Sequence, residues 1–169
     1  RPVQQPRIPI WVGANLDAGV DRAARLGDGW IVGFNERLPK LVGRLERYRS
    51  MAAEHGRSAN VSLMRLVGLA ATRGEVEASW LPAVYDMLRG YAKVEAPTDR
   101  GDATERSLKA ARRGDISLAE LGNDMFVAGT RDDVIAGIRR SIDETQCDEV
   151  LVYTGGMPSE EFLRMFASE

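Results

Sequence analysis

Residues 8–32 read IPIWVGANLDAGVDRAARLGDGWIV. The apolar run Ile8-Pro9-Ile10-Trp11-Val12, ended by Gly13, predicts a short buried strand. Asn15 stands where an N-cap would, and Asp17 falls in the first turn of the helix that follows, where an acid favours the positive end of the dipole. Val20, Ala23, Ala24 and Leu26 keep helical spacing, and Gly27 stops them. Asp28-Gly29 then turns the chain into Trp30-Ile31-Val32, a second strand. Strand, helix and strand in direct succession are the unit of a parallel α/β sheet.

The same rhythm extends outward. Leu38, Leu41, Val42, Leu45 and Tyr48 predict a helix running to about Glu54, before Gly56. Val61 to Leu69 predicts a third strand. The alternation then lapses from about Glu75 to Asp124, which reads as a helical insertion after the third strand. In it Val84, Met87, Leu88 and Tyr91 mark one helix, and Pro82 is expected in its first turn. Ala96 to Asp102 reads as a polar connector, and Ser107–Ala111 and Leu118–Leu121 as short helices. The rhythm resumes at Phe126-Val127-Ala128-Gly129. Thr130 and Asp133 form a capping box with Asp in the place of Glu, and Val134, Ile135, Ile138 and Ile142 form the next apolar stripe. Glu149 to Tyr153 is the fourth strand, Gly155-Gly156 a turn or a close approach to a ligand, and Ser159 to Phe166 a closing helix with Phe162 and Phe166 stacked four apart.

Composition narrows the function. The chain has 169 residues, 44% hydrophobic and 28% charged, with a net charge of -2, an ordinary globular mix with length for one core. Lys and Arg are not clustered, which argues against nucleic acid as a partner. No apolar run reaches the roughly 20 residues that cross a bilayer, and Arg1-Pro2-Val3-Gln4-Gln5-Pro6 has no apolar signal core. One cysteine, Cys147, forms no internal disulfide, and one histidine, His55, gives no basis for a zinc site or a His-based triad. These features point to a cytoplasmic protein without a metal. Ile10 and Val12 oppose Trp11 in the first strand, and Val150 and Val152 oppose Leu151 and Tyr153 in the fourth. Such two-faced strands need cover on both sides. Helices winding one way cover one side only, as in a barrel wall; an open doubly wound sheet places them on both. Periodicity leaves the two open.

The lead-in through Ile8-Pro9-Ile10-Trp11-Val12-Gly13-Ala14-Asn15 resembles the bacterial luciferase-like monooxygenase family, as do Ala23-Ala24-Arg25-Leu26-Gly27-Asp28-Gly29-Trp30 and Gly129-Thr130-Arg131-Asp132-Asp133-Val134. The resemblance covers nearly the whole chain. It implies the C-terminal half, strands five to eight, of a (β/α)8 TIM barrel, with an oxidoreductase or monooxygenase activity in the intact protein. It implies a flavin-type cofactor, FMN or the deazaflavin F420, and a small organic substrate. The catalytic residues fall in the first four strands, so none is assigned here and this chain alone is expected to be inactive. What it would contribute is cofactor phosphate binding, through Gly13, Ala14 and Asn15 after the first strand here and Gly33 after the second. Two departures are visible: Val32 and Phe34 offer no hydroxyl after the second strand, and Asn123-Asp124 stands where some deazaflavin enzymes carry a basic residue.

Plain structural roles stand beside these. Gly13-Ala14-Asn15 also reads as a strand-to-helix turn. Arg65, inside the third strand, is either an anion ligand in the barrel or a member of a structural ion pair. His55 reads as solvated at a helix end, and Trp80, Tyr85 and Tyr91 as packing residues of the insertion or pocket lining. A barrel half standing alone would expose its inner apolar face, so a homodimer is expected, and a non-catalytic half-barrel that self-associates is the competing reading.

Overall fold

The computed structural model describes residues 3–5, 7–34, 36–94, 126–155 and 159–167. The elements are β1 (Trp11–Gly13), α1 (Asp17–Leu26), β2 (Gly29–Val32), α2 (Leu38–Glu54), β3 (Asn60–Leu69), α3 (Arg73–Val94), β4 (Phe126–Gly129), α4 (Arg131–Thr145), β5 (Glu149–Tyr153) and α5 (Ser159–Ala167). The bounds of α2 and the span of β3 follow the sequence reading closely. Phe126–Gly129 is itself a strand, so five strands stand among the described residues where four were expected. The expected helices at 107–111 and 118–121, the connector at 96–102, Gly156 and Asn123-Asp124 lie outside the described residues. Two compact units divide the chain: residues 1–64 with 142–151, and residues 65–141 with 152–169.

In the first unit β1, β2 and β3 pair in parallel, with Val12 opposite Trp30 and Trp30 opposite Val61. The side chains on one face form the core. Trp30, Val32, Val61 and Leu63 pack against Val20, Ala23 and Ala24 of α1 and Leu41, Leu45, Tyr48 and Ala52 of α2, with Val12 at the margin. Both helices thus lie on the same face, the arrangement of a barrel wall rather than of a doubly wound sheet. Tyr48 meets Trp30 at 5.3 Å between ring centroids and donates its hydroxyl to the Asn60 carbonyl at 3.0 Å. Burial, then the charge of Asp148, pushes its phenol up to about 12.

The expectation that the first strand is buried fails. β1 pairs with β2 alone, and Ile8 (65% exposed), Ile10 and Trp11 stand open to solvent. Ile8 and Ile10 precede the paired residues, and Trp11 takes the face of β1 away from α1 and α2. Trp11 lies across Gly29, where an added Cβ would sit 2.4 Å from its ring. Asp28 fixes the turn before β2: it accepts from the Arg7 guanidinium and, at 2.6 Å, from the Ile10 N–H. Those two contacts, Arg7 first, hold its carboxyl below the usual range.

In the second unit β3 and β4 pair in parallel, Leu66 opposite Phe126 and Val67 opposite Val127. Val67, Leu69 and Val127 pack on Val134 of α4 and Phe162 of α5. On the other face Gly68 lies under the Trp80 ring of α3, so close that a Cβ would approach it to 2.4 Å. This short sheet therefore has cover on both faces. Pro82 sits in the middle of α3, not in its first turn. The first turn is set instead by a capping box that the sequence reading missed: Glu75 N–H donates to Thr72 Oγ1 (3.2 Å) and Thr72 N–H to Glu75 Oε2 (3.0 Å). Burial of Val76, Trp80, Leu81 and Val84 outweighs the hydrogen bond that Pro82 removes, a defect of about 3 kcal/mol in an isolated helix. In α4, Ile135 and Ile142 of the expected stripe are exposed, while Val134, Ser141 and Thr145 are buried. Phe162 and Phe166 do stack, at 5.3 Å and 19°.

The Thr130–Asp133 box is present. Thr130 donates its N–H and hydroxyl to Asp133 Oδ2 at 3.0 and 2.9 Å. Arg73, and next the Thr130 N–H, hold the Asp133 carboxyl far below the usual carboxylate range. The contribution of a carboxylate whose native value is depressed is complete above its unfolded value, about 3.9, and is lost as pH falls toward the native one. Thermal melts from about pH 4 to pH 2 should therefore drop more steeply for the natural protein than for Asp133→Asn. Parallel curves would remove this carboxylate from the acid response.

Candidate functional site

Gly13 ends β1 and Gly33 follows β2, and the strands are neighbours, Gly13 standing opposite Ile31. The four residues expected to meet a cofactor phosphate, Gly13, Ala14, Asn15 and Gly33, thus come together at the C-terminal edge of two adjacent parallel strands. That is the edge at which α/β proteins bind ligands. The loop is held from behind. Trp30 Nε1 donates to the Ala14 carbonyl at 2.9 Å, and the Ala14 N–H reaches the Ile31 carbonyl at 3.4 Å. Glu36 N–H closes a turn on the Gly33 carbonyl at 3.3 Å. Among the described residues nothing lies within 4 Å of a Cβ added at Gly13, so the backbone there is approachable.

The helices that start at these loops lack side-chain caps. Leu16, not Asn15, is the N-cap of α1, and Arg37 that of α2; neither forms a side-chain cap hydrogen bond. The expectation for Asn15 is corrected on this point: it lies one residue too early in the chain. α3 and α4, by contrast, each start with a capping box. An uncapped helix start leaves N–H groups directed outward, with the positive end of the dipole behind them.

Arg44 of α2 joins the two loops, and the sequence reading did not single it out. Its Nη1 donates to the Asn15 carbonyl (2.8 Å) and to Glu36 Oε1 (2.5 Å), and its Nε to Asp17 Oδ1 (3.0 Å). The Arg44 and Glu36 side chains are only 13% and 10% exposed, whereas Asp17 is 64% exposed. One turn on, Arg47 grips Asp21 with two bonds of 2.9 and 2.8 Å. The signal was legible: acids four apart on α1 and arginines three apart on α2, each pair on one helix face. The arrangement fits a phosphate ester through its backbone: an open glycine, outward N–H groups, and a guanidinium that an anion competing with exposed Asp17 can reach.

The remaining candidates resolve as structure. Arg65 is 1% exposed and donates from Nε to Ser141 Oγ of α4 at 3.4 Å. It shares the β3 face of Val67 and Leu69, which packs on α4 and α5. His55 is exposed and donates from Nδ1 to the Met51 carbonyl at 2.9 Å. Gly155, at φ +66°, lies 3.3 Å in Cβ position from Trp80 Nε1, which donates to the Thr154 carbonyl at 2.9 Å; it makes a buried turn. Tyr85 is half-buried and the Tyr91 side chain lies outside the described residues. No group of three or more metal-ligating side chains occurs among the described residues, and no helix among them is long and apolar enough to cross a membrane.

A family model described as luciferase-like monooxygenase matches residues 1–148. Among solved structures the chain is similar to an F420-dependent secondary alcohol dehydrogenase in complex with an F420-acetone adduct (TM-score 0.70, 10% identity, 96% of this chain and 48% of that one). It is similar to the EDTA monooxygenase of Chelativorans sp. BNC1 (TM-score 0.64, 17% identity, 98% and 47%). It is also similar to a riboflavin lyase holding modified FMN and riboflavin (TM-score 0.61, 14% identity, 93% and 41%). The chain spans about half the length of these neighbours.

Proposed function

The chain belongs to the luciferase-like monooxygenase family, and from that premise we propose that it forms strands five to eight of a (β/α)8 barrel and supplies the cofactor's phosphate site. The observation that carries this reading is the pair of uncapped helix starts, α1 and α2, beside the open backbone of Gly13. The N–H groups at the start of α1 bind the anion, beside the open backbone of Gly13. Gly33 allows the neighbouring loop to pass close, and Arg44 sets the spacing of the two. The cofactor is FMN or the deazaflavin F420, and when bound it supplies hydride transfer or oxygen activation. This chain's residues tether and orient it. No catalytic residue is assigned among them, and the substrate is a small organic molecule reached through the rest of the barrel.

The exposed apolar side chains at and just before β1 favour a second element of the reading, a homodimer. Ile8, Ile10 and Trp11 form a wet apolar edge of the kind that a two-fold partner covers. Taken alone, that edge equally supports a non-catalytic half-barrel that self-associates. The purified chain is expected to scatter light as a dimer or larger species and to give no oxidation of reduced flavin above the protein-free rate. A monomer across a dilution series removes the dimer, and a protein-dependent rate removes the division of labour between the two barrel halves.

A further inference from the structure

Within the second unit, α4, α5 and the end of β3 border an open cleft of about 300 Å³. It lies outside the proposed phosphate site and has no part in that reading. Leu69, Val134, Ile138 and Met165 line it, and Arg131 and Arg139 flank it. The apolar wall continues the core in which Val134 and Phe162 are buried and on which Ile138 and Met165 pack, so it is preformed. The two arginines differ from their neighbours. Arg73 is held by Asp133, Arg164 by Glu160 and Arg65 by Ser141, whereas Arg131 and Arg139 form no hydrogen bond or ion pair among the described residues. Both stand at the edge of an apolar cleft.

We propose that this cleft binds an amphiphilic carboxylate, an unbranched apolar chain ending in one anionic head. The volume stands at the lower end of ligand pockets, about 300–1,000 Å³, which suits a medium-length chain and excludes a packed helix. A guanidinium matches a carboxylate with two parallel hydrogen bonds. The cleft also accounts for an oddity of α4, whose apolar stripe runs on through Ile135 although that side chain is exposed in this chain.

The probe is decanoate, titrated into the protein below its micelle concentration and followed by calorimetry and by amide shifts. One equivalent is expected to bind, with shifts confined to α4, α5 and the end of β3. Decanol, with the same tail and no charge, and propionate, with the charge and almost no tail, should each bind roughly tenfold or more weakly. The exposed double variant Arg131→Gln/Arg139→Gln should show the same loss for decanoate while melting as the natural protein does. Ile135→Trp, on the wall of the cleft, should fill it and abolish binding. Equal affinities for decanoate and decanol, an unaffected double variant, or no saturable binding would each overturn the proposal. So would cleft shifts that follow protein concentration instead of decanoate, since the occupant would then be a second copy.

Discussion

Trp80→Ala is expected to lower stability by about 3–5 kcal/mol, the range for removing a fully buried large aromatic. Trp80 has no exposed surface. Its ring covers Gly68, meets Phe126 edge-on at 6.4 Å and 77°, and its indole N–H holds the Thr154 carbonyl. The substitution opens a cavity and strips a carbonyl of its donor, so two costs add. Gly68→Ala attacks the same contact from the strand, because its methyl group would enter the ring; overpacking of that kind costs about 1–3 kcal/mol. Urea unfolding of both variants measures the effects. Losses within about 0.5 kcal/mol, the range of surface substitutions, would mean that α3 does not cover this face of β3 and β4.

Arg44→Ala is expected to cost a similar amount, about 3–5 kcal/mol, because it leaves the buried Glu36 carboxylate without its guanidinium. Magnitudes separate the two acids that Arg44 touches. Asp17 is largely exposed, and exposed ion pairs contribute about 0–1 kcal/mol, so Asp17→Asn should be nearly silent. Arg44→Met combined with Glu36→Gln, which removes both charges, should recover most of the loss, as buried pairs replaced together often do. Denaturant midpoints of the single and double variants form the test. A double variant no more stable than Arg44→Ala would show that the Asn15 carbonyl, not Glu36, is the partner that matters.

The sequence foretold what depends on local chemistry. The Leu38 helix ended at Glu54 because its apolar stripe and the following Gly56 are local signals. The Thr130–Asp133 box and the Phe162–Phe166 stack formed for the same reason. Three things hidden in the sequence depend on distant partners. Phe126–Gly129 resumed the rhythm without being counted as a strand, and its pairing with Leu66–Leu69 makes it one. Pro82 fell inside a helix because buried Val76, Trp80 and Val84 hold both sides of it. Ile10 and Trp11 proved exposed because burial belongs to the neighbours, and β1 has one. In the site, the glycines and their neighbours were legible from strand ends. Arg44 was not picked out, since its role depends on loops eight and more residues away. Arg65 was visible as an oddity within a strand, but its contact with Ser141 depends on α4, more than seventy residues away.

The central claim is that the Gly13-Ala14-Asn15 loop, with Gly33 beside it, holds the phosphate of a flavin-type cofactor. Fluorescence titration of FMN and of riboflavin, which differ by that phosphate, tests it most directly when run on the natural chain and on Gly13→Val. A Cβ at Gly13 meets no described residue within 4 Å, so the fold should survive while the space for an anion is filled. The natural chain should bind FMN more tightly than riboflavin by roughly ten- to a hundredfold, the worth of charge-assisted hydrogen bonds, and Gly13→Val should bind the two alike. Equal affinities for FMN and riboflavin in the natural chain, or a preference that Gly13→Val retains in full, would contradict it.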